Sequence, residues 1–328
     1  MDAKKYGYTV ITSDDLLPGF DELDLVDGLI LNQDEIFIDN TITGKVYKMK
    51  TLSGDDIIVK PPINIIDFLN SKGEYEGKDI SYFQHPDLTT SHREALTYIT
   101  FSSFFKLYCV PTTTIFKNPH DGSIMSAQLF IKNSGKLAKG NKLKCYDNLG
   151  YLYKFAIADT IIGNHDRNRG NVLCSPAANS EYQTIYLIDN ALSFDFSAVV
   201  GANIPAYANH LLRRPIPNSV LNWVKSLNTS DLITLLEKRN VPTEIISMTC
   251  NRINAAQQWV NYIRANRYFS KDLGMLLEFM RSNFFCDKQI SDSMFDVRSR
   301  IIRKGMRGEP FVHLGPNQKD KTKIIEER

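Results

Sequence analysis

Residues 163–171 read GNHDRNRGN, and residues 185–190 read IYLIDN. The first stretch packs one acid, two arginines and three asparagines into nine positions, directly after the apolar run LGYLYKFAIADTII at 149–162. The apolar run has helical periodicity, whereas NVLCSP (171–176) and TIYLID (184–189) read as short strands flanking the turn AANSEY. The polar stretch therefore sits between a buried helix and a hairpin, and the hairpin ends on a second acid, Asp189. An acid in a loop and another at a strand end can together hold a divalent cation and orient a hydroxyl, which phosphoryl transfer requires.

Working towards the amino terminus, EIFIDN (35–40), GKVYKMK (44–50) and DDIIVKP (55–61) are period-two runs, with the turn LSGDD between the last two. Pro61 and Pro62 stop the third strand just after Lys60. Residues 63–90 carry little pattern and read as an irregular connection. SHREALTYITFSSFFKLY then predicts a helix from Ser91 to about Leu107, with Ser91 as cap and Glu94 at capping-box spacing. VPTTTIF (110–116) and SIMSAQLFIKN (123–133) predict two further strands around NPHDG. The Gly/Lys-rich NSGKLAKGNK (133–142) reads as a linker.

The expected architecture is α+β and bilobal, with a β-rich first lobe over residues 1–135 and a mainly helical second lobe over 136–328. Helices are expected near 218–226, 230–239, 243–265, 270–284 and 290–305, followed by a polar tail.

Composition narrows the function classes. The 328 residues are 43% hydrophobic, enough for a large core. Lys plus Arg number 39 against 37 Asp plus Glu, so no global charge draws the chain to nucleic acid or an anionic membrane. Cys109, Cys145, Cys174, Cys250 and Cys286 form no C-x-x-C pair and are expected to be buried reduced thiols. The first residues lack a signal-peptide pattern and no run approaches the roughly twenty apolar residues of a membrane span, so the expected compartment is the cytoplasm.

The order of the motifs is more specific than any one of them. A protein-kinase catalytic loop places its Asp five residues before an Asn, and a metal-binding Asp follows after a hairpin. Here Asp166 precedes Asn171 by five, and Asp189 follows. A strand lysine paired with a helix glutamate is also required, and Lys60 with Glu94 fits that demand. A lone D-x-x-x-x-N is a common turn sequence. Glu94 also reads as a simple capping-box residue, His165 as a loop brace, and Asp159 and Asp195 as structural acids. The basic LLRRP (Arg213, Arg214) reads as a solvated face or a contact for an acidic partner.

GNHDRNRGNVL followed by LIDNALSF resembles the HipA-like and phosphatidylinositol 3/4-kinase-like branch of the protein-kinase-like superfamily. Members read D-R-H-x-x-N and then an Asp-led metal motif, and this chain has Asn168 where the histidine is usual and Asn190 after Asp189. The resemblance spans roughly residues 40–200. It implies an ATP- and Mg²⁺-dependent kinase in which Asp166 orients the acceptor hydroxyl, Asn171 and Asp189 hold Mg²⁺, and Lys60 neutralises the α- and β-phosphates beside Glu94. By the same resemblance, Gly44 with Thr41 and Thr43 lines the phosphate loop. Arg167 or Arg169 steadies the loop or the transferring charge, and main-chain groups at Gln128, Leu129 and Phe130 face adenine. The implied partner is a protein Ser/Thr acceptor. Phosphate-loop chemistry adds an expected autophosphorylation at Thr41, Thr43 or Ser53, where a phosphate would compete with those of the nucleotide for the same N–H groups and Lys60. The alternatives are a small-molecule or lipid kinase, and a nucleotide-binding interaction protein without turnover.

Overall fold

The computed structural model describes residues 9–11, 13–20, 29–31, 36–41, 44–51, 54–63, 88–137, 149–164, 166–176, 183–194, 207–208, 211–265 and 271–282. Its first part contains β1 (Thr9–Ile11), β2 (Leu29–Leu31), β3 (Ile36–Thr41), β4 (Gly44–Lys50), β5 (Asp56–Lys60), α1 (Thr90–Ile99), β6 (Thr113–Lys117) and β7 (Ile124–Leu129). Five of these strands form one antiparallel sheet in the order β3-β4-β5-β7-β6, while β1 and β2 pair separately. Directly opposed residues share a face of a sheet, so the register decides where each side chain goes. Ile57 and Val59 join Met49, Phe116, Met125 and Ala127 in a small core on one face. Lys60 lies opposite Ser126, and Ser126 opposite Ile115. The lysine thus shares the face of Ile115, which packs in the main core with Leu96 and Ile99 of α1.

Helix α1 begins earlier than the sequence suggests. Its cap is Thr89, whose side chain accepts from the His92 N–H, and Ser91 falls in the first turn. The helix gives way at Thr100–Phe104 to a wider turn, in which the Phe105 N–H bonds Thr100 O at 2.9 Å. There Phe101, Phe104, Phe105 and Trp223 pack as an aromatic group.

Beyond this sheet come β8 (Gly135–Lys136), α2 (Leu149–Ile161), β9 (Val172–Pro176), β10 (Gln183–Leu187), α3 (Asn218–Ser226), α4 (Thr229–Glu237), α5 (Thr243–Ala265) and α6 (Leu273–Ser282). The fold is therefore α+β, a β-rich lobe followed by a mainly helical part. Strand β8 falls within the stretch that reads as a linker. Two residues pairing with Cys174 and Leu173 of β9 are enough to make a strand with no sequence pattern of its own. The expected helix over 290–305 lies outside the described residues. Helix α2 is mostly apolar and runs through the main core beside α5, with Tyr151 exposed near its start. It ends where Gly163 adopts φ 64° and the Asn164 N–H returns to Asp159 O at 2.9 Å, a glycine stop that launches the polar stretch straight from the core.

The segment at 13–20 ties the two parts together. Leu16 bridges to Phe116, Thr114 Oγ1 donates to Phe20 O at 3.1 Å, and a Cβ at Gly19 would lie 2.8 Å from Lys238 O. Gly19 also has φ +86°, so Gly19→Ala is expected to cost about 1–3 kcal/mol. An unchanged thermal midpoint for that variant would remove this reading.

Candidate active site

Asparagine side chains shape the polar loop. Asn164 Oδ1 accepts the Asp166 N–H at 3.0 Å, and Asn168 Oδ1 accepts the Gly170 N–H at 2.7 Å, capping the short turn Arg169–Asn171. Both Asp166 oxygens are held by amides: Asn168 Nδ2 donates to Oδ1 at 2.8 Å and Asn171 Nδ2 to Oδ2 at 3.1 Å. Asn171 Nδ2 also reaches Asp166 O at 2.7 Å. Because that nitrogen is taken up by Asp166, the amide oxygen of Asn171 is the atom left with the right chemistry for a cation.

Arg167 is buried inside the loop. Its Nε and Nη2 grip Asp159 Oδ2 and Oδ1 of helix α2 at 2.9 and 3.1 Å, and Nη1 donates to Asn171 O at 3.0 Å and Ile188 O at 2.6 Å. Nη2 also donates to Asn190 Oδ1. Tyr207 donates its hydroxyl to Asp159 Oδ2 at 3.0 Å. Burial pulls the guanidinium pKa down, but the Asp159 carboxylate outweighs it and the net shift is upward. Burial, reinforced by Asp159, raises Tyr207 and Cys109 well above their ordinary values. This centre thus keeps a charged arginine and a neutral phenol.

The second acid follows β10, where the Ile188 N–H bonds Asn171 O at 3.0 Å and so fastens the end of the strand to the loop. Asp189 takes φ 56°, a left-handed conformation that Asp and Asn tolerate better than most residues. Its side chain is 43% exposed and its Oδ1 lies 3.3 Å from Lys60 Nζ. Lys60 also meets Glu94 Oε1 at 2.7 Å, with Glu94 only 3% exposed. The other Glu94 oxygen accepts the Asn190 N–H at 2.9 Å. Both oxygens of Glu94 therefore face the site, and none of the contacts it makes here is a capping-box bond. Burial alone would lower the Lys60 pKa, but the charges of Asp189 and Glu94 overcome it and hold the ammonium above its ordinary value.

Lys60, Glu94 and Asp189 thus form one group and Asp166 with Asn171 another, and the two are joined through the Ile188 N–H on Asn171 O and through Arg167. Gly44 lies opposite Thr41 at the end of the β3–β4 hairpin. Arg169 heads the turn Arg169–Asn171. Thr43, Ser53, His165 and Asp195 lie outside the described residues.

The stretch Gln128–Phe130, expected to face adenine, runs along β7 and just beyond it. Gln128 Nε2 is buried against Thr113 Oγ1 at 2.9 Å, the Leu129 N–H bonds Thr112 O at 2.9 Å, and the Phe130 N–H bonds Asp56 O at 2.9 Å. Because β7 lies between β5 and β6, these donors are taken up inside the sheet. Asp56 also takes Lys50 and Lys48, whose hydrogen bonds lower its carboxyl pKa to about 2.

Asn164 and Tyr207 are further residues that brace the loop and that the sequence does not single out, Asn190 reads there only as a departure from the motif, and Asp159 only as a structural acid. A separate cavity of about 570 Å³, lined in part by Leu17, Phe20, His92, Arg239 and Pro242, shares no residue with the site. Among the described residues, no group of three or more His, Cys, Asp or Glu side chains gathers around a metal position. Nor is any described helix long and apolar enough to cross a membrane.

No family profile and no curated protein matches the chain. Among solved structures, it is similar to a Helicobacter pylori proinflammatory kinase, CtkA, at 13% identity and TM-score 0.42, covering 71% of this chain and 96% of that one. It is also similar to the Golgi casein kinase, at 12% identity and TM-score 0.44, covering 71% and 72% of the two chains. The Golgi casein kinase with Mn/ADP bound gives 13% identity and TM-score 0.40, covering 76% and 73%. At these values the likenesses carry no argument about chemistry, which rests on the chain's own residues.

Proposed function

We propose that the chain is an ATP- and Mg²⁺-dependent phosphotransferase of the protein-kinase-like superfamily, acting on Ser or Thr hydroxyls of protein. The observation that carries this reading is the convergence at Lys60, whose ammonium meets Glu94 from the first lobe at 2.7 Å and Asp189 from the far side at 3.3 Å. Phosphoryl transfer needs a fixed cation for the donor phosphates, a metal position and an acid at the acceptor. Lys60 supplies the first, held charged by its two partners.

Asn171 and Asp189 suit the metal position. Mg²⁺ prefers oxygen ligands and commonly takes only one or two carboxylates alongside phosphates, a demand that one carboxylate and one amide oxygen suit. When bound, the ion neutralises charge on the phosphates. Asp166, clamped at both oxygens, is positioned to accept the hydroxyl proton from an acceptor. Asn168, the departure from the usual histidine, supplies one of those clamps. Gly44 and Arg169 are assigned to the phosphate end of the nucleotide. Adenine is assigned to main-chain groups at Gln128, Leu129 and Phe130, where carbonyls rather than the bonded N–H groups of Leu129 and Phe130 would meet it.

Incubation with γ-labelled ATP, protein acceptors and small alcohols tests the reading. Mg²⁺-dependent label on the chain or on a protein acceptor, abolished by EDTA, is the expected result. Label on a small alcohol alone moves the acceptor class. Nucleotide binding with neither transfer nor hydrolysis contradicts the reading and leaves an interaction protein.

A further inference from the structure

A guanidinium has five N–H donors, and those of Arg167 are matched by five acceptors: Nε by Asp159 Oδ2, Nη1 by Asn171 O and Ile188 O, and Nη2 by Asp159 Oδ1 and Asn190 Oδ1. The side chain is fully buried, so it offers nothing to a phosphate arriving from solvent. In phosphate-switched kinases, a new pair between an arginine and a phosphorylated residue orders the activation loop. Here the partner of the arginine is a carboxylate built into helix α2. Asp159 is 1% exposed and is itself held by the Tyr207 hydroxyl. Three of the five acceptors flank the proposed cation ligands: Asn171 through its own carbonyl, and Ile188 and Asn190 on either side of Asp189.

We propose that Asp159 and Tyr207 are positioning residues that lock the catalytic loop through Arg167, so that the site is assembled without a phosphate elsewhere on the chain. The proposal rests on the phosphotransferase reading for its activity arm, but not for its structural arm. Arg93 extends the same logic to helix α1. It is buried, and its Nη1 donates to Ser193 O and, at 3.0 Å, to Phe194 O, which tie the helix carrying Glu94 to the chain after Asp189.

Two measurements on the full chain test it. In the first, the protein is treated with a broad-specificity phosphatase, the phosphatase is removed, and Mg²⁺-ATP turnover is compared with that of untreated protein. Equal rates are expected, and a tenfold loss overturns the proposal. In the second, Tyr207→Phe and Asp159→Asn are followed by amide hydrogen exchange and by the Mg²⁺ concentration that half-saturates turnover. Loosening a residue that orients metal ligands typically costs ~10–100-fold in metal affinity or activity, so half-saturation should rise about tenfold. Exchange should quicken at 164–171 and 187–190 while α5 stays protected. Exchange that rises uniformly, or that leaves the loop unchanged, overturns the lock. A wild-type chain that does not turn over ATP counts against the phosphotransferase reading, and the exchange experiment still decides the lock.

Discussion

Asp166→Ala is expected to cut phosphoryl transfer by ~10²–10⁴-fold, the usual contribution of a positioned acid or base, while nucleotide affinity changes little. The structure separates the two effects. Asp166 touches Asn168 and Asn171 through its side chain, whereas Lys60 takes its partners from Glu94 and Asp189. The loop should also survive the change, because Asn171 Nδ2 keeps its bond to Asp166 O and Arg167 keeps its five acceptors. Single-turnover kinetics with calorimetric nucleotide titration would check this. A large loss of nucleotide affinity with an unchanged transfer rate would place Asp166 in binding instead.

Lys60→Met is the second large effect, and it falls on stability as well as activity. Removing the ammonium leaves Glu94, 3% exposed, with one buried carboxylate oxygen stripped of its partner. Breaking a buried pair from one side costs about 3–5 kcal/mol, even where the intact pair adds little net stability. Transfer should fall by at least ~10²-fold, because a preorganised charge at the phosphates is lost. Glu94→Gln combined with Lys60→Met should lose less stability than the sum of the two single changes, by about 1 kcal/mol or more. Strict additivity in chemical melts would contradict the pairing.

The pH dependence follows in sign. Lys60 is raised above its ordinary 10.5, so its contribution is fully present below that value and is lost only as pH climbs through the higher folded value. Between pH 6 and 9, melting should not respond through this residue.

The residues that carry the proposed chemistry were legible because each stands at a fixed spacing inside a local element. Asp166 and Asn171 share one turn, Asp189 closes a hairpin, and Lys60 closes a strand that two prolines end. The residues that hold them were not legible. Asp159 lies on the preceding helix and meets Arg167 only because the glycine stop at Gly163 folds the loop back. Tyr207 arrives from 48 residues beyond Asp159, a contact with no local signature. The start of α1 was misplaced because Thr89, Thr90 and Ser91 are all competent caps, and packing chose the first. That the N–H groups of Leu129 and Phe130 are bonded to Thr112 O and Asp56 O was also not legible, because only the strand order reveals which neighbours a central strand uses.

The most direct test is a structure of the chain with a non-hydrolysable ATP analogue and Mg²⁺. The expected complex has the ion within about 2.1 Å of an Asp189 oxygen and of Asn171 Oδ1, the usual Mg²⁺–oxygen distance. Lys60 should lie on the donor phosphates, and Arg167 should still be closed on Asp159. A nucleotide seated away from Lys60, or a metal held without Asp189, would contradict the account.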